Sequence, residues 1–157
     1  MLRKNDSSKK LTTSSLRIIG GQWKRRTISF IAVEDLRPTP DRVRETLFNW
    51  LQFEIQGQRC LDAFAGSGAL GLEALSRGAA ECVFMEKHSS QAKQLQQTLI
   101  DLGKPTPVLV GDTLLLLSQQ KMAFDVVFLD PPYALNFWQP VCDILVKQQL
   151  IHTDSWI

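Results

Sequence analysis

The sequence contains no long apolar run. Val126 to Leu129 and Leu114 to Leu117 are typical of its longest, far short of the about 18 residues that a membrane-spanning helix needs. The N-terminus, Met-Leu-Arg-Lys-Asn-Asp-Ser-Ser-Lys-Lys, has no apolar signal region, so neither secretion nor membrane insertion is expected. Cysteine is scarce. Cys60, Cys82 and Cys142 are odd in number, widely spaced and lack any zinc or redox spacing, which points to a reduced, cytoplasmic protein without a metal site. Charge of one sign is not in excess either, since the net charge is +2. With 44% apolar and 22% charged residues the chain is balanced for a globule rather than for disorder. Its 157 residues suffice for one domain that buries roughly 68–70% of its unfolded surface.

The distribution of charge says more than its sum. Residues 1–51 carry 11 Lys/Arg against 5 Asp/Glu, and residues 52–157 carry 7 against 11. A basic front part on an acidic body suggests that the N-terminal part meets an anionic macromolecule. Three regions follow. Residues 1–15, polar and basic, are expected to form a flexible tail. Residues 16–57 read as a hairpin and a helix that face the anionic partner. Residues 58–157 read as an α/β core.

In the second region, Leu16 to Ile19, Gly20-Gly21 and Thr27 to Phe30 predict a β-hairpin. Trp23, Lys24, Arg25 and Arg26 stand at its return side. Three consecutive cations beside an exposed Trp23 would suit phosphate and base contacts. The alternative is a hairpin edge protected by charge. Thr39 is an expected N-cap, with Pro40 in the first helical position and Asp41 at the positive dipole end. The helix is expected to present Val43, Leu47, Trp50 and Leu51 on one face and to end near Gly57. Arg37, Arg42 and Arg44 are left for solvent, a partner or a ligand.

From residue 59 strands and helices alternate. Strands are expected at Cys60 to Ala63, Cys82 to Met85, Pro107 to Val110 and Asp125 to Leu129. Helices are expected at Ala69 to Arg77, Ser90 to Leu102, Thr113 to Gln120 and Phe137 to Gln148. The alternation implies a Rossmann-like parallel sheet with helices on both faces.

Two constellations carry chemistry. Asp62-Ala63-Phe64-Ala65-Gly66-Ser67-Gly68-Ala69-Leu70-Gly71 places a G-x-G-x-x-G between strand and helix, and Glu86 closes the second strand. Small residues let the backbone turn and approach a ligand, and a carboxylate at Glu86 suits ribose hydroxyls. A nicotinamide or flavin dinucleotide fits this spacing. Asp62, however, would repel a pyrophosphate and attract an ammonium group, which favours S-adenosylmethionine. Phe64, Ser67 and Asp112 complete the candidate lining. Asp112 is read either as an acceptor for the adenine amino group or as the cap of the next helix.

The second constellation is Asp130-Pro131-Pro132-Tyr133, after the fourth strand. It should open on the same crevice, at the switch point of the sheet. The Asp130 carboxylate and the Pro131 carbonyl offer two adjacent acceptors for the two N–H groups of an exocyclic amine. Tyr133 offers a face on which a flipped base can stack. Preorganised acceptors stabilise the positive charge that develops on the attacked nitrogen.

With these motifs the chain resembles class I methyltransferases acting on exocyclic amino groups. Arg17-Ile18-Ile19-Gly20-Gly21, Arg37-Pro38-Thr39 and Asp41-Arg42-Val43-Arg44-Glu45-Thr46-Leu47-Phe48-Asn49-Trp50-Leu51 narrow the resemblance to the bacterial 16S ribosomal RNA guanine-N2 methyltransferases, the RsmD family. The resemblance implies a guanine N2 target in small-subunit ribosomal RNA, in an assembled particle, and S-adenosylmethionine as donor. It implies that Gly66, Gly68 and Glu86 line the cofactor, that Asp130 to Tyr133 hold the guanine, and that Arg17, Lys24, Arg25, Arg26, Arg37, Arg42 and Arg44 contact RNA. An adenine-N6 methyltransferase, a dinucleotide oxidoreductase and a non-catalytic RNA-binding fragment are the competing functions. The fold normally continues into further strands. Here the fourth strand is expected to form an edge, because the chain reaches Ile157 where a fifth strand should begin.

Overall fold

A computed structural model describes residues 12–32, 38–131 and 138–157. Strands β1 (Thr13–Arg17) and β2 (Thr27–Ile31) pair antiparallel, with Leu16 opposite Ile28 and Arg17 opposite Thr27. Period-two alternation sends Leu16, Ile28 and Phe30 into the core and leaves Ser15, Arg17 and Ser29 outside. The first strand begins at Thr13, so residues 13–15 belong to the hairpin and not to a tail; residues 1–11 lie outside the described residues. The connection is longer than a two-glycine turn. It runs from Ile18 to Arg26 and is closed by Ile18 N donating to Arg26 O at 2.9 Å and Arg25 N donating to Ile18 O at 2.9 Å.

Helix α1 (Asp41–Trp50) starts after Pro40, with no side-chain cap. Thr39 is therefore not the N-cap, and its hydroxyl points elsewhere. The expected apolar face holds at Leu51, which is buried, and at Leu47, which packs against the core, but is corrected at Val43 (53% exposed) and Trp50 (75% exposed); Arg44 and Phe48 are buried in their place. The helix turns its Arg44 side inward because a buried carboxylate waits there. The helix also ends earlier than expected, at Trp50 and not near Gly57; the chain leaves it at Leu51 and passes through turns to Gly57.

The core sheet contains β3 (Arg59–Asp62), β4 (Glu81–Glu86), β5 (Val108–Val110) and β6 (Val126–Phe128), all parallel, in the order β5-β4-β3-β6. Helices α2 (Ala69–Ser76), α3 (Ser89–Asp101), α4 (Thr113–Ser118) and α5 (Trp138–Lys147) join or follow the strands. Strand residues alternate between two cores. Cys60, Phe84 and Phe128 pack with Phe48, Leu72, Leu75, Leu95 and Leu99 on one face. Leu61, Met85 and Val127 pack with Leu117, Phe124, Val141 and Leu145 on the other. Strands buried on both faces explain their nearly continuous apolar composition. One parallel bridge from Trp156 meets the outer side of β6, through Val127 N to Trp156 O at 2.8 Å and Trp156 N to Asp125 O at 2.9 Å. Pairing on that edge therefore begins before the chain ends. Among the described residues no helix is long and apolar enough to cross a membrane.

The N-terminal elements are fastened to the sheet by polar contacts as well as by apolar packing. Glu73 on α2 is fully buried. Its Oε1 accepts from Ile19 N at 2.9 Å, and its Oε2 accepts from Gly20 N at 3.0 Å and Arg77 Nε at 3.0 Å. Arg44 Nη1 lies 3.5 Å from Oε1. Ser76, one turn on, donates to Gly20 O at 2.6 Å and accepts from Trp23 N at 3.0 Å. Gly21 has φ +79, and a Cβ there would lie 1.9 Å from Ser76 O, so only glycine permits this approach. Removing one member of a buried ionic cluster leaves the others uncompensated. Glu73→Ala is expected to destabilise the protein by about 3–5 kcal/mol. A melting temperature equal to that of the wild type would show that the cluster does not hold the hairpin.

Candidate active site

The crevice opens at the carboxyl ends of β3, β4 and β6. The chain runs from β3 to β4 on one side and returns to β6 on the other, so the β3–β6 junction is the switch point where ligands of open α/β sheets bind. The glycine loop after β3 turns through Gly66 (φ +54) and Gly68 (φ +81) into α2. Ser67 Oγ accepts from Ala69 N at 3.3 Å, inside the loop. Gly71 permits close packing: a Cβ there would meet Phe84 Cε1 at 2.3 Å and Cys82 Sγ at 2.8 Å. The third glycine of the motif therefore sets the distance between helix and strand. Phe64 is half-buried at the loop's entry.

Asp62 and Glu86 end β3 and β4, and Asp130 follows two residues past the end of the neighbouring β6. Asp62 pairs in register with Phe84 and with Phe128, so Glu86 and Asp130 each lie two residues beyond its partners. Glu86 is buried; its Oε2 accepts from Gly66 N at 2.7 Å and its Oε1 from His88 N at 3.0 Å. It shapes the glycine loop directly, and each oxygen keeps acceptor capacity. Asp62 is 2% exposed, and its Oδ2 accepts from Gly71 N at 3.0 Å. Burial pushes its carboxyl up to about 7; the Gly71 N–H opposes the rise, while Asp130 and Glu86 add to it. Among the described residues no cation is ion-paired with any of the three. Burial pushes the Cys60 thiol up to about 12 and raises that of Cys82 as well, so neither is a nucleophile near neutral pH.

Asp112, exposed after β5, accepts from Leu115 N at 3.2 Å and caps α4. The capping alternative is thus realised, with one Asp112 oxygen used by it. Sequence reasoning missed Gln91. This buried side chain accepts from Ile31 N at 2.9 Å and donates to Gly66 O at 2.8 Å, joining the hairpin to the glycine loop. Its position on a polar-looking helix gave no signal of that role. Thr113 was missed too; its hydroxyl donates to Ala63 O at 2.7 Å and braces the start of the same loop.

Asp130 is exposed just past β6, and Pro131 is half-buried. Pro132 and Tyr133 lie outside the described residues, as does Arg37. Thr39 Oγ1 donates to Asp130 Oδ2 at 3.0 Å, which brings the N-terminal segment to the crevice. A cavity of about 370 Å³ beside Thr39 is lined by Arg17, Thr27, Thr39 and Asp41, among others. Arg17, Lys24, Arg25, Arg26 and Arg42 are exposed. Arg44 is not: it is 1% exposed, and it donates to Arg17 O at 3.1 Å, to Thr39 O at 3.1 Å and to Asp41 Oδ1. The expectation that Arg44 contacts RNA is corrected, because its guanidinium is spent on the protein interior. Trp23 is corrected likewise. It is 7% exposed and anchors the turn, while its three cationic neighbours face outward.

A parallel sheet with a glycine loop after its first strand, an acid ending its second and Asp-Pro-Pro-Tyr after its fourth has the architecture of class I methyltransferases. Residues 16–157 match the family model described as Conserved hypothetical protein 95. The Haemophilus influenzae Ribosomal RNA small subunit methyltransferase D is 42% identical over 147 residues, covering 90% of this chain and 76% of that protein. The Escherichia coli protein yhhF superposes with a TM-score of 0.78 at 40% identity, covering 92% of this chain and 76% of the other. The Thermus thermophilus 16S rRNA N2 G1207 methyltransferase, solved with AdoMet and guanosine, shares the fold at a TM-score of 0.69 and 23% identity, over 90% of this chain and 39% of that one. The chain belongs to the RsmD family of small-subunit ribosomal RNA methyltransferases.

The Asp62 carboxyl gives a pH prediction. Its folded value, about 7, lies above the ordinary aspartate value of 3.8, so between them the folded state holds a proton that the unfolded state has lost. Stability from this group is complete below about pH 4 and declines as pH rises to about 7, at up to about 1.4 kcal/mol per pH unit. Asp62→Asn removes this decline. Chemical denaturation from pH 5 to 7.5 should show a flatter profile for the variant; parallel profiles would show that Asp62 is not buried as an acid.

Proposed function

We propose that the protein methylates the exocyclic N2 amino group of a guanine in 16S ribosomal RNA, presented in an assembled small-subunit particle, with S-adenosylmethionine as donor. One observation carries this proposal: Asp130 stands two residues past the end of β6, which pairs with the strand that leads into the glycine loop. An amine acceptor and a nucleotide-type cradle thus share one crevice. Membership of the family supplies the substrate class.

The crevice suits the donor chemically. Asp62 is a buried carboxylate without a cation among the described residues, so an incoming ammonium would relieve its burial and its repulsion from Asp130 and Glu86. A pyrophosphate would worsen both. Glu86 retains capacity for ribose hydroxyls, the Gly66–Gly68 backbone allows close approach, and Phe64, Ser67 and Asp112 complete the lining. When bound, S-adenosylmethionine supplies an electrophilic methyl group.

The remaining work falls to the chain's own residues. Asp130 and the Pro131 carbonyl accept the two amino hydrogens and stabilise positive charge on the nitrogen. Tyr133 is the residue assigned to stack on the guanine. The proton released after transfer passes to Asp130 or to water. Arg17, Lys24, Arg25, Arg26, Arg37 and Arg42 engage phosphates around the target, and the cavity beside Thr39 lies on that approach.

Asp130→Ala is expected to bind S-adenosylmethionine as the wild type does and to lose methyl transfer by about 10²-fold or more. Mass analysis of ribosomal RNA after incubation reads both the extent of transfer and the modified base. Methylation of adenine, or normal transfer by the variant, would overturn the assignment. Replacing Arg25 and Arg26 by Ala should reduce the salt dependence of RNA binding by about one log–log unit for each phosphate they neutralise. An unchanged slope would remove both from the interface.

A further inference from the structure

The role proposed for Asp130 requires something to aim its carboxylate, and the inference that follows rests on that role. Asp130 is exposed and lies beyond the last residue of β6, so its strand does not orient its side chain. Thr39 reaches it from 91 positions earlier in the chain, with Oγ1 donating to Oδ2 at 3.0 Å. A threonine hydroxyl has one proton to give. With that proton on Oδ2, Oδ1 has no hydrogen-bond partner among the described residues.

Thr39 is itself unusually well held. Pro38 and Pro40 flank it, which restricts its backbone to extended conformations. Its carbonyl accepts from Arg44 Nε at 3.1 Å. Arg44 is buried and tied to Glu73 and to Arg17 O. A continuous path of fixed groups therefore leads from the buried Glu73 through Arg44 and the Thr39 main chain to the Asp130 side chain. A solvent-exposed hydrogen bond of this kind adds little to stability, so its value lies in geometry.

We propose that Thr39 is a positioning residue for methyl transfer: its hydroxyl turns Asp130 so that Oδ1 faces the nucleobase amino group. The N-terminal segment is then part of the active site as well as a surface for RNA.

Single-turnover transfer to unmodified small-subunit particles tests this, using wild type, Thr39→Val, Thr39→Ser, Asp130→Ala and the Thr39→Val/Asp130→Ala double variant. Thr39→Val is expected to slow transfer by about 10- to 10²-fold, with unchanged melting temperature and unchanged affinity for S-adenosylmethionine. Thr39→Ser, which keeps the hydroxyl, is expected to stay near wild type. In the Asp130→Ala background Thr39→Val is expected to add no further loss, because the hydroxyl acts through the carboxylate. A wild-type rate for Thr39→Val, an equal loss in Thr39→Ser, or multiplying losses in the double variant would each overturn the proposal. If Asp130→Ala is slow while Thr39→Val is not, Thr39 alone is wrongly assigned. If Asp130→Ala transfers normally, the role of Asp130 fails and that of Thr39 with it.

Discussion

A carboxylate with no solvent exposure must be neutralised and hydrogen-bonded where it stands, or the fold does not tolerate it. Glu73 is such a group, and much of the N-terminal architecture follows from satisfying it. Two backbone N–H groups of the hairpin turn, the Arg77 side chain one helical turn away and the Arg44 side chain of α1 converge on its two oxygens. None of these partners comes from the sheet. The carboxylate thus converts a hairpin and a helix, which have little sequence-local reason to meet α2, into a layer with a defined position.

That layer reaches the crevice by two routes. Gln91 links Ile31 of β2 to the Gly66 carbonyl, and Thr39 links the segment before α1 to Asp130. The glycine loop and Asp130 are each touched by the N-terminal elements, so the position of those elements and the alignment of the crevice share one set of contacts. On the sheet side, parallel register brings Asp62, Glu86 and Asp130 to one edge. Their mutual repulsion, with the burial of Asp62, makes the crevice an unfavourable home for an anion and a favourable one for a group that carries a positive charge.

The parallel sheet and the glycine loop were legible in the sequence because their signals are local. Apolar runs of strand length, glycines at helix starts and an acid at a strand end all lie within a few residues of what they specify, and element boundaries differ from expectation mostly by one or two positions. The N-terminal part was harder. Trp23 beside three cations reads as a surface aromatic, yet it is an anchor, since only the docking on Ser76 decides which side of the turn faces inward. Val43 and Trp50 fit an apolar helical face, yet the buried face carries Arg44 and Phe48. An arginine at a core position carries no local mark of its partner, Glu73, which lies far along the chain on another helix.

Local sequence was enough for the class of fold, the order of its elements and the turn at Gly66 and Gly68, because hydrophobic period and turn chemistry act over short distances. Tertiary structure alone decided which charges are tools and which are fastenings. Arg44 and Glu73 became interior struts, Lys24 to Arg26 stayed exposed, and Thr39 left its expected cap to face Asp130. The physical reason is that the energy of a charge depends on its burial and on its neighbours, and both are set by chain segments that only folding brings together.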